Sequence, residues 1–477
     1  MKKVIIIGGG IAGLAAAYRL QEEITAGAEL DVTVLEAGDQ FGGKICTEHI
    51  DGFVFERGPD SFISQKPAAI QLCKKLGLED QLVGTNPDSS KTYVYTNKKL
   101  VTMPDGLSLM IPTKFMPFIL SPLFSWPAKI RMGLDLIIPR KSGNGDESLA
   151  SFVRRRMGEE ALQKMAEPML AGIYASDPET MSIQSTFPMF VETEKKYRSL
   201  ILGMLARKSQ MMKASNKPQP YSLFVTLKNG LSEMVNAVLE KSPNIRFQTQ
   251  AHVTSVTKEN DGWKVSLADV EPISADVVFF ATPAKISARL LEGIAPEASQ
   301  LLDGITYVST ATVSLAYKRE GFSHPLDGFG FVIPRTEGRK ILACTWTSSK
   351  FPHRAPSEFV MLRCFVGGAK SEDLAELDEE SMSAMVKEEL RVIMGITEEP
   401  VLCKVYHNKK SNVQYRVGHA NLIASINKEI DSLPGIFLTG SAYTGIGIPD
   451  CIQNGNRAAE AALNFLNVPS NGNDKTP

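Results

Sequence analysis

The sequence predicts an α/β fold: a discontinuous, Rossmann-like nucleotide-binding domain, a second sheet, and an inserted helical domain. Three observations carry that reading. A strand, a glycine loop, a helix and a second strand open the chain. Strand–turn–helix material of the same kind returns at 275–291 and again near the end. The residues between divide into a helical stretch and a run of strands.

The opening KKVIIIGGGIAGLAAAYRLQEE supplies a β-branched strand at Val4–Ile7, GxGxxG at Gly8, Gly10 and Gly13, and a helix former at Leu14–Leu20. Gly8 permits the tight turn, Gly10 leaves room for a pyrophosphate, and Gly13 lets helix and strand approach. Ile11, Ala12 and Leu14 belong to the helix start, whose unpaired N–H groups face the phosphates. Glu36, 23 residues beyond Gly13 and followed by Ala37, ends the apolar run DVTVLE. Its carboxylate suits ribose hydroxyls, and its charge argues against a 2′-phosphate and so against NADP.

AGDQFGGKI then turns the chain at Gly42, Gly43 and Lys44, short strands follow around 47–50 and 53–56, and GPDSF (58–62) ends them. A large cofactor lying extended across the domain could use Gly42–Gly43 and Gly58–Pro59 as close-approach backbone. KPAAIQLCKKLGLEDQL has helical periodicity.

From about 87 to 217 the character changes. Residues 109–139 are rich in Met, Phe, Leu and Ile, yet five prolines and Lys114, Lys129 and Arg131 interrupt them. No run reaches the roughly 18 uncharged apolar residues of a spanning helix. We read a helical subdomain with buried faces; the alternative is an exposed face that touches a membrane or a partner. Residues 147–183 read as helical until Pro168 and Gly172.

Residues 221–240 read as strand, turn and amphipathic helix, 245–267 as two alternating strands, and 275–291 as a buried strand, a turn and a helix. Strands of a separate sheet follow at 308–319, 328–335, 340–348 and 359–367, with an amphipathic helix at 374–396 able to cover them. The end brings a short strand ending in Gly440, a glycine-rich turn, a helix from near Ile448, and a polar tail. That last helix offers a second set of N-terminal amides.

The resulting boundaries are 1–62 with 218–295 and 420–467 for the nucleotide-binding domain, and 87–217 for the helical domain. Residues 63–86 with 296–419 form the substrate-binding domain, and 468–477 a flexible tail.

At 477 residues, two or three packed regions are expected. A formal net charge of -1 gives no global attraction to nucleic acid or to an anionic membrane. The six cysteines lie far apart without metal-ligand spacing, so a reduced intracellular protein without a metal is expected. Lys2 and Lys3 lead directly into the first strand, and no signal peptide is read.

Two glycine-rich helix starts at opposite ends argue for a bulky dinucleotide in a long cleft, FAD rather than a mobile NAD. GxGxxG with Glu36, GGK (42–44), ERGPDSF (56–62), ATPA (281–284) and TGSAYTGIGIPDCIQNG (439–455) resemble the flavin-dependent amine oxidase superfamily. AEPMLAGIYASDPETMSIQSTFPMF (166–190), LKNGLSEMV (227–235) and GFGFVIPR narrow the resemblance to the porphyrinogen oxidases of haem biosynthesis, particularly the soluble branch of Gram-positive bacteria.

The resemblance implies a p-hydroxybenzoate-hydroxylase-like FAD fold with a mixed-sheet substrate domain and an inserted helical domain. It implies a non-covalent FAD and oxygen as acceptor, with hydrogen peroxide as by-product. The reaction is a six-electron oxidation of coproporphyrinogen III to coproporphyrin III, with protoporphyrinogen IX also accepted. No catalytic acid–base pair is required, because the flavin drives the chemistry.

The pocket residues it implies are Lys66 at the substrate mouth, Ile173 in AGIYA as a wall, Phe331 in GFGFVIPR, and Phe365 where a relative has tyrosine. The cofactor set extends to Asp60, Ser61, Val253, Tyr406, Gly440, Ile446, Gly447 and Ile448. For Lys66, Ile173 and Phe365 an ordinary surface or core role is the alternative.

From Lys195 to Lys217 there are seven cations (Lys195, Lys196, Arg198, Arg207, Lys208, Lys213, Lys217) and no acid. A cationic rim would suit four propionates better than two; a solvated loop is the alternative. A cytoplasmic enzyme is expected, with contact to a membrane surface or to ferrochelatase as further expectations. Three alternatives stay open: protoporphyrinogen IX oxidation as the main activity, an amine oxidase or desaturase of the same superfamily, or a non-catalytic flavin protein.

Overall fold

The computed structural model describes residues 1–108, 111–112, 114–143, 145–214, 221–268, 270–322 and 324–468. Val4, Ile5, Ile6 and Ile7 are buried on both faces, which is what a central parallel strand requires. That strand, Lys2–Ile7, lies third in a five-stranded parallel sheet. The order is Ile245–Gln248, Leu30–Leu35, Lys2–Ile7, Val277–Phe280 and Ile436–Leu438, so three distant stretches of chain build one sheet. The chain leaves the first strand to one side and returns much later on the other, which opens a crevice at the carboxyl ends of these strands.

Helix Ile11–Thr25 packs on this sheet through Ala16, Ala17 and Leu20, and Ile11, Leu14 and Ala15 face a second core with Leu72, Val225 and Val238. The last helix, Ile448–Phe465, crosses it closely. A Cβ on Gly455 would lie 2.2 Å from the Ala12 carbonyl oxygen, so the crossing needs glycine there.

The second sheet has seven strands, in the order Leu402–Val413, Tyr307–Lys318, Phe359–Gly367, Ala343–Trp346, Gly328–Val332, Lys91–Thr96 and Lys99–Thr102. Gly328–Val332 runs parallel to Lys91–Thr96 and the other pairings are antiparallel. Helix Glu379–Met394 covers one face, burying Met382, Val386 and Leu390 against Val313, Leu315 and Leu362. A Met- and Phe-rich helical layer forms a separate core from Phe118, Met132, Phe152, Met165 and Phe190. Under it lies a buried pair, in which Arg156 Nε donates to Asp135 at 2.7 Å and Ser199 Oγ donates to the same carboxylate at 2.6 Å.

Several expectations need correction. Residues 91–102 form sheet strands, so helical material begins later than 87. Residues 68–75 pack with the first helix, and the strands at 62–63 and 82–84 pair with Phe224–Leu227, which joins 63–86 to the nucleotide-binding core. Residues 245–267 hold three strands, the first of them in the parallel sheet. Pro168 and Gly172 do not end the helix. A π turn at Leu162–Ala166 shifts the register, Pro168 falls in the first turn of Glu167–Tyr174 where no N–H partner is needed, and Ala175 in the left-handed region closes it. The expected tail lies, apart from Val468, outside the described residues.

Candidate functional site

The crevice at the end of the first strand is built by glycines with different neighbours. A Cβ on Gly13 would lie 2.1 Å from the Gly8 carbonyl oxygen, whereas one on Gly10 would meet no other described part of the protein within 4 Å. Gly10 has an ordinary extended backbone (φ -72, ψ 171), so its lack of a side chain is explained by space and not by conformation. Gly42 donates to the Gly9 carbonyl at 2.8 Å and forms a bridge with Gly10, and Gly58 presses against the Lys44 carbonyl.

Both flanking helices start at glycine, Gly10 and Gly447, and neither has a side-chain cap. Two sets of N–H groups are therefore available to a phosphate. Ile446 and Val253 are partly buried against the neighbouring core, and Gly440 follows the strand beside Phe280.

Glu36 Oε2 accepts from Gly9 N–H at 2.8 Å and Oε1 from Gly38 N–H at 2.8 Å. These two bonds orient the carboxylate over the glycine loop and leave acceptor capacity on each oxygen. The Lys44 ammonium donates to the Ser411 carbonyl, and burial holds it below the usual lysine range. Cys451 is buried, and burial pushes its thiol up to about 11.

Gly58–Ser61 sits on a charge cluster that sequence patterns did not reveal. Asp60 faces Lys350 at 3.2 Å and accepts from Ser61 Oγ at 2.6 Å, and Arg363 Nη2 donates to the Gly58 carbonyl. Arg354 pairs with Glu56 at 2.9 Å. Burial pushes Asp60 up, but Lys350 and Arg363 outweigh it and hold the carboxyl well below its ordinary range. The carboxylate of Asp60 and the hydroxyl of Ser61 thus have protein partners beside the Gly58–Pro59 turn. The one signal for this cluster was a lone arginine inside the apolar strand FVMLRCFVG.

The seven-stranded sheet separates two expected pocket residues. Phe365 stands opposite Ala343 and Thr312, whereas Phe331 stands opposite Cys344, one position out of phase. Adjacent strand positions point to opposite faces. Phe331 is consequently buried in the core under helix Glu379–Met394, which corrects its expected place in the pocket. Tyr406 shares the face of Phe365 and Thr312, but its ring packs with Phe53 and Phe55. Its hydroxyl donates to Glu48 at 3.0 Å, with the Arg57 guanidinium near the ring.

Ile173 is 57% exposed on the last turn of Glu167–Tyr174. The next turn abuts the end of the Phe365 strand, because Ala175 accepts from Ala369 N–H at 2.8 Å. Lys66 is paired with Asp450 in the first turn of the last helix.

Of the seven cations, those described lie on the helical layer. Lys195 and Lys196 lie on helix Pro188–Tyr197, and Arg198 donates to the Leu136 carbonyl at 2.9 Å, both in the helical layer. Arg207 and Lys208 are exposed on helix Leu200–Ala214, and Lys217 lies outside the described residues.

Comparison with known proteins agrees with this architecture. A family model described as flavin containing amine oxidoreductase matches residues 11–463. The chain is 38% identical over 467 residues to a coproporphyrinogen III oxidase of Bacillus subtilis (strain 168), covering 98% of each. It is 34% identical to a coproporphyrinogen III oxidase of Staphylococcus aureus (strain NCTC 8325 / PS 47), covering 97% of this chain and 99% of the other. A crystal structure from Exiguobacterium sp. 255-15, provisionally named a protoporphyrinogen oxidase, superposes with a TM-score of 0.85 at 32% identity, covering 98% and 99%.

Proposed function

The chain belongs to the flavin containing amine oxidoreductase family, among its porphyrinogen oxidases, and from that premise we propose that coproporphyrinogen III is its preferred substrate. It is an FAD enzyme that oxidises a porphyrinogen in haem biosynthesis with oxygen as acceptor. When bound, FAD accepts electrons two at a time, so a six-electron oxidation takes three rounds, each ending in hydrogen peroxide.

The protein residues supply binding and orientation. Gly10 and the two uncapped helix starts would hold the pyrophosphate and Glu36 would take the ribose hydroxyls. Lys44, Gly58, Pro59, Val253, Gly440 and Ile446–Ile448 would complete the cofactor site. The observation that carries this reading is the space beside Gly10, which a Cβ would fill without touching protein. Ile173 and Phe365 form apolar walls that exclude water, and Lys66 meets a propionate at the mouth. No side chain is assigned as acid or base.

FAD is held without a covalent bond, since the one cysteine at the flavin loop, Cys451, is buried with a raised pKa and is a poor nucleophile. Acid precipitation should release all the flavin; yellow colour retained in the washed pellet would contradict this.

Support for the coproporphyrinogen preference comes from the end-to-end similarity to two coproporphyrinogen III oxidases. The deciding experiment is anaerobic mixing with each porphyrinogen while flavin bleaching is followed. A ten-fold preference for protoporphyrinogen, about 1.4 kcal/mol the other way, would overturn the assignment.

No helix of the described residues is long and apolar enough to cross a membrane. Phe115, Met116, Leu120, Trp126, Ile130 and Ile137 are nevertheless exposed, and the Lys129 ammonium lies 4.7 Å from the Trp126 ring centroid. These side chains favour a cytoplasmic enzyme resting on a membrane surface over a fully buried helical lid. Failure of the protein to sediment with anionic vesicles would favour the lid.

A further inference from the structure

Lys66 does not stand free at the cleft. Its ammonium lies 2.6 Å from Asp450 Oδ1 and 2.8 Å from Oδ2, although 384 residues separate the two. Asp450 is the third residue of the last helix, and its carboxylate folds back over the flavin loop. A Cβ on Gly445 would be 2.4 Å from its Cγ, and one on Gly447 3.1 Å from its Oδ2. The lysine side chain is 50% exposed and the aspartate 18%, so the cation reaches solvent while the anion is the more enclosed partner. Asp450 also faces the helical layer, where burial and then its charge raise the Tyr174 phenol, the neighbour of Ile173. The pair thus joins Lys66 to the glycine-rich loop at 445–447.

We propose that Asp450 is a specificity-determining residue that neutralises Lys66 in the resting enzyme and yields it to a substrate carboxylate. A half-exposed ion pair exchanges partners readily, because water and a competing carboxylate replace the lost contact. While Asp450 holds the lysine, an arriving propionate meets a neutral pair; with the aspartate neutralised it meets a net positive charge. Asp450 therefore sets how strongly the mouth discriminates by the number of carboxylates. This rests on the porphyrinogen reading above and on the place of Lys66 at the mouth.

The helix-start position gives Asp450 an ordinary stabilising role as well. That role is blind to the charge of the ligand, so the test varies the ligand charge. Full-length, FAD-loaded protein is titrated with coproporphyrin III, which has four carboxylates, and mesoporphyrin IX, which has two, by porphyrin fluorescence. D450N should tighten coproporphyrin about three- to five-fold and mesoporphyrin less, and K66Q should weaken coproporphyrin by a similar factor. The double variant, neutral at this site, should bind coproporphyrin more tightly than K66Q, whose unpaired Asp450 repels a propionate, and more weakly than D450N; D450E should match wild type. D450S replaces D450N should the latter lose FAD.

The proposal is overturned by a D450N that binds both porphyrins as wild type does or that weakens both equally. An unchanged coproporphyrin Kd in K66Q, with porphyrinogen turnover intact, sinks this proposal alone. An FAD-loaded protein that turns over neither porphyrinogen sinks the functional reading beneath it.

Discussion

The two glycine-rich regions around the first and last helices look alike in sequence, yet within each, glycines do different work. In the first loop Gly13 is pressed to 2.1 Å from a backbone oxygen while Gly10 faces open space. In the second region Gly455 is pressed against the first helix, while Gly440 again meets nothing within 4 Å. The crowded members let the two helices and the sheet come together; the open members leave a volume that no side chain fills. A motif of identical residues therefore encodes two requirements, one of packing and one of ligand space, and substitution can separate them.

The largest effect is expected at the crowded positions. Gly13→Val and Gly455→Val should prevent folding, since a backbone carbonyl cannot move aside as a flexible side chain can. The cost should exceed the ~1–3 kcal/mol of an ordinary overpacked site. Soluble variants with native circular dichroism would break the comparison at its first step. Gly10→Val should fold, because its backbone is unstrained and its Cβ meets no protein, but should emerge colourless. Wild-type flavin content after dialysis would mean that the space beside Gly10 is not the pyrophosphate site.

A smaller change is expected at Glu36, which is oriented by both Gly9 and Gly38. Glu36→Ala should weaken FAD by about 1–3 kcal/mol, the range for a charged hydrogen-bonding group. Equilibrium dialysis measures it, and unaltered affinity would remove Glu36 from the ribose site. The smallest effect belongs to the second loop. Lys66→Glu sets a carboxylate beside Asp450 and should raise KM for coproporphyrinogen more than for protoporphyrinogen, by about three-fold. The change in kcat should be smaller, because a mouth contact is similar in the ground and transition states. Equal KM changes for both substrates would leave Lys66 as a surface lysine.

Patterns that depend on neighbours in sequence were readable. Val4–Ile7, the glycine spacing and Glu36 announced a nucleotide crevice, and the strands near 308–319 and 359–367 were read where the structure has them. Where a local pattern was overruled, either an irregular turn beside it or a neighbour distant in sequence did it. Pro168 was accommodated by a π turn, and Tyr93 and Val94 were drawn into the sheet by pairing with Phe331 and Val332.

By itself the sequence determined the nucleotide-binding unit, through the short-range spacing of its glycines and Glu36, and its longer motifs carried the resemblance to the family. Tertiary structure alone decided which face each strand residue presents. Phe331 and Phe365 both sit in apolar strands, and a register offset of one position sends one to the core and the other to the opposite face. It also decided the long-range partners of charged groups: Lys66 with Asp450, Lys350 with Asp60, and Arg363 with the Gly58 carbonyl. Such pairs join residues hundreds of positions apart. Their formation depends on the order in which strands assemble and on the burial that makes an unpartnered charge costly, and neither is written in the spacing of residues along the chain.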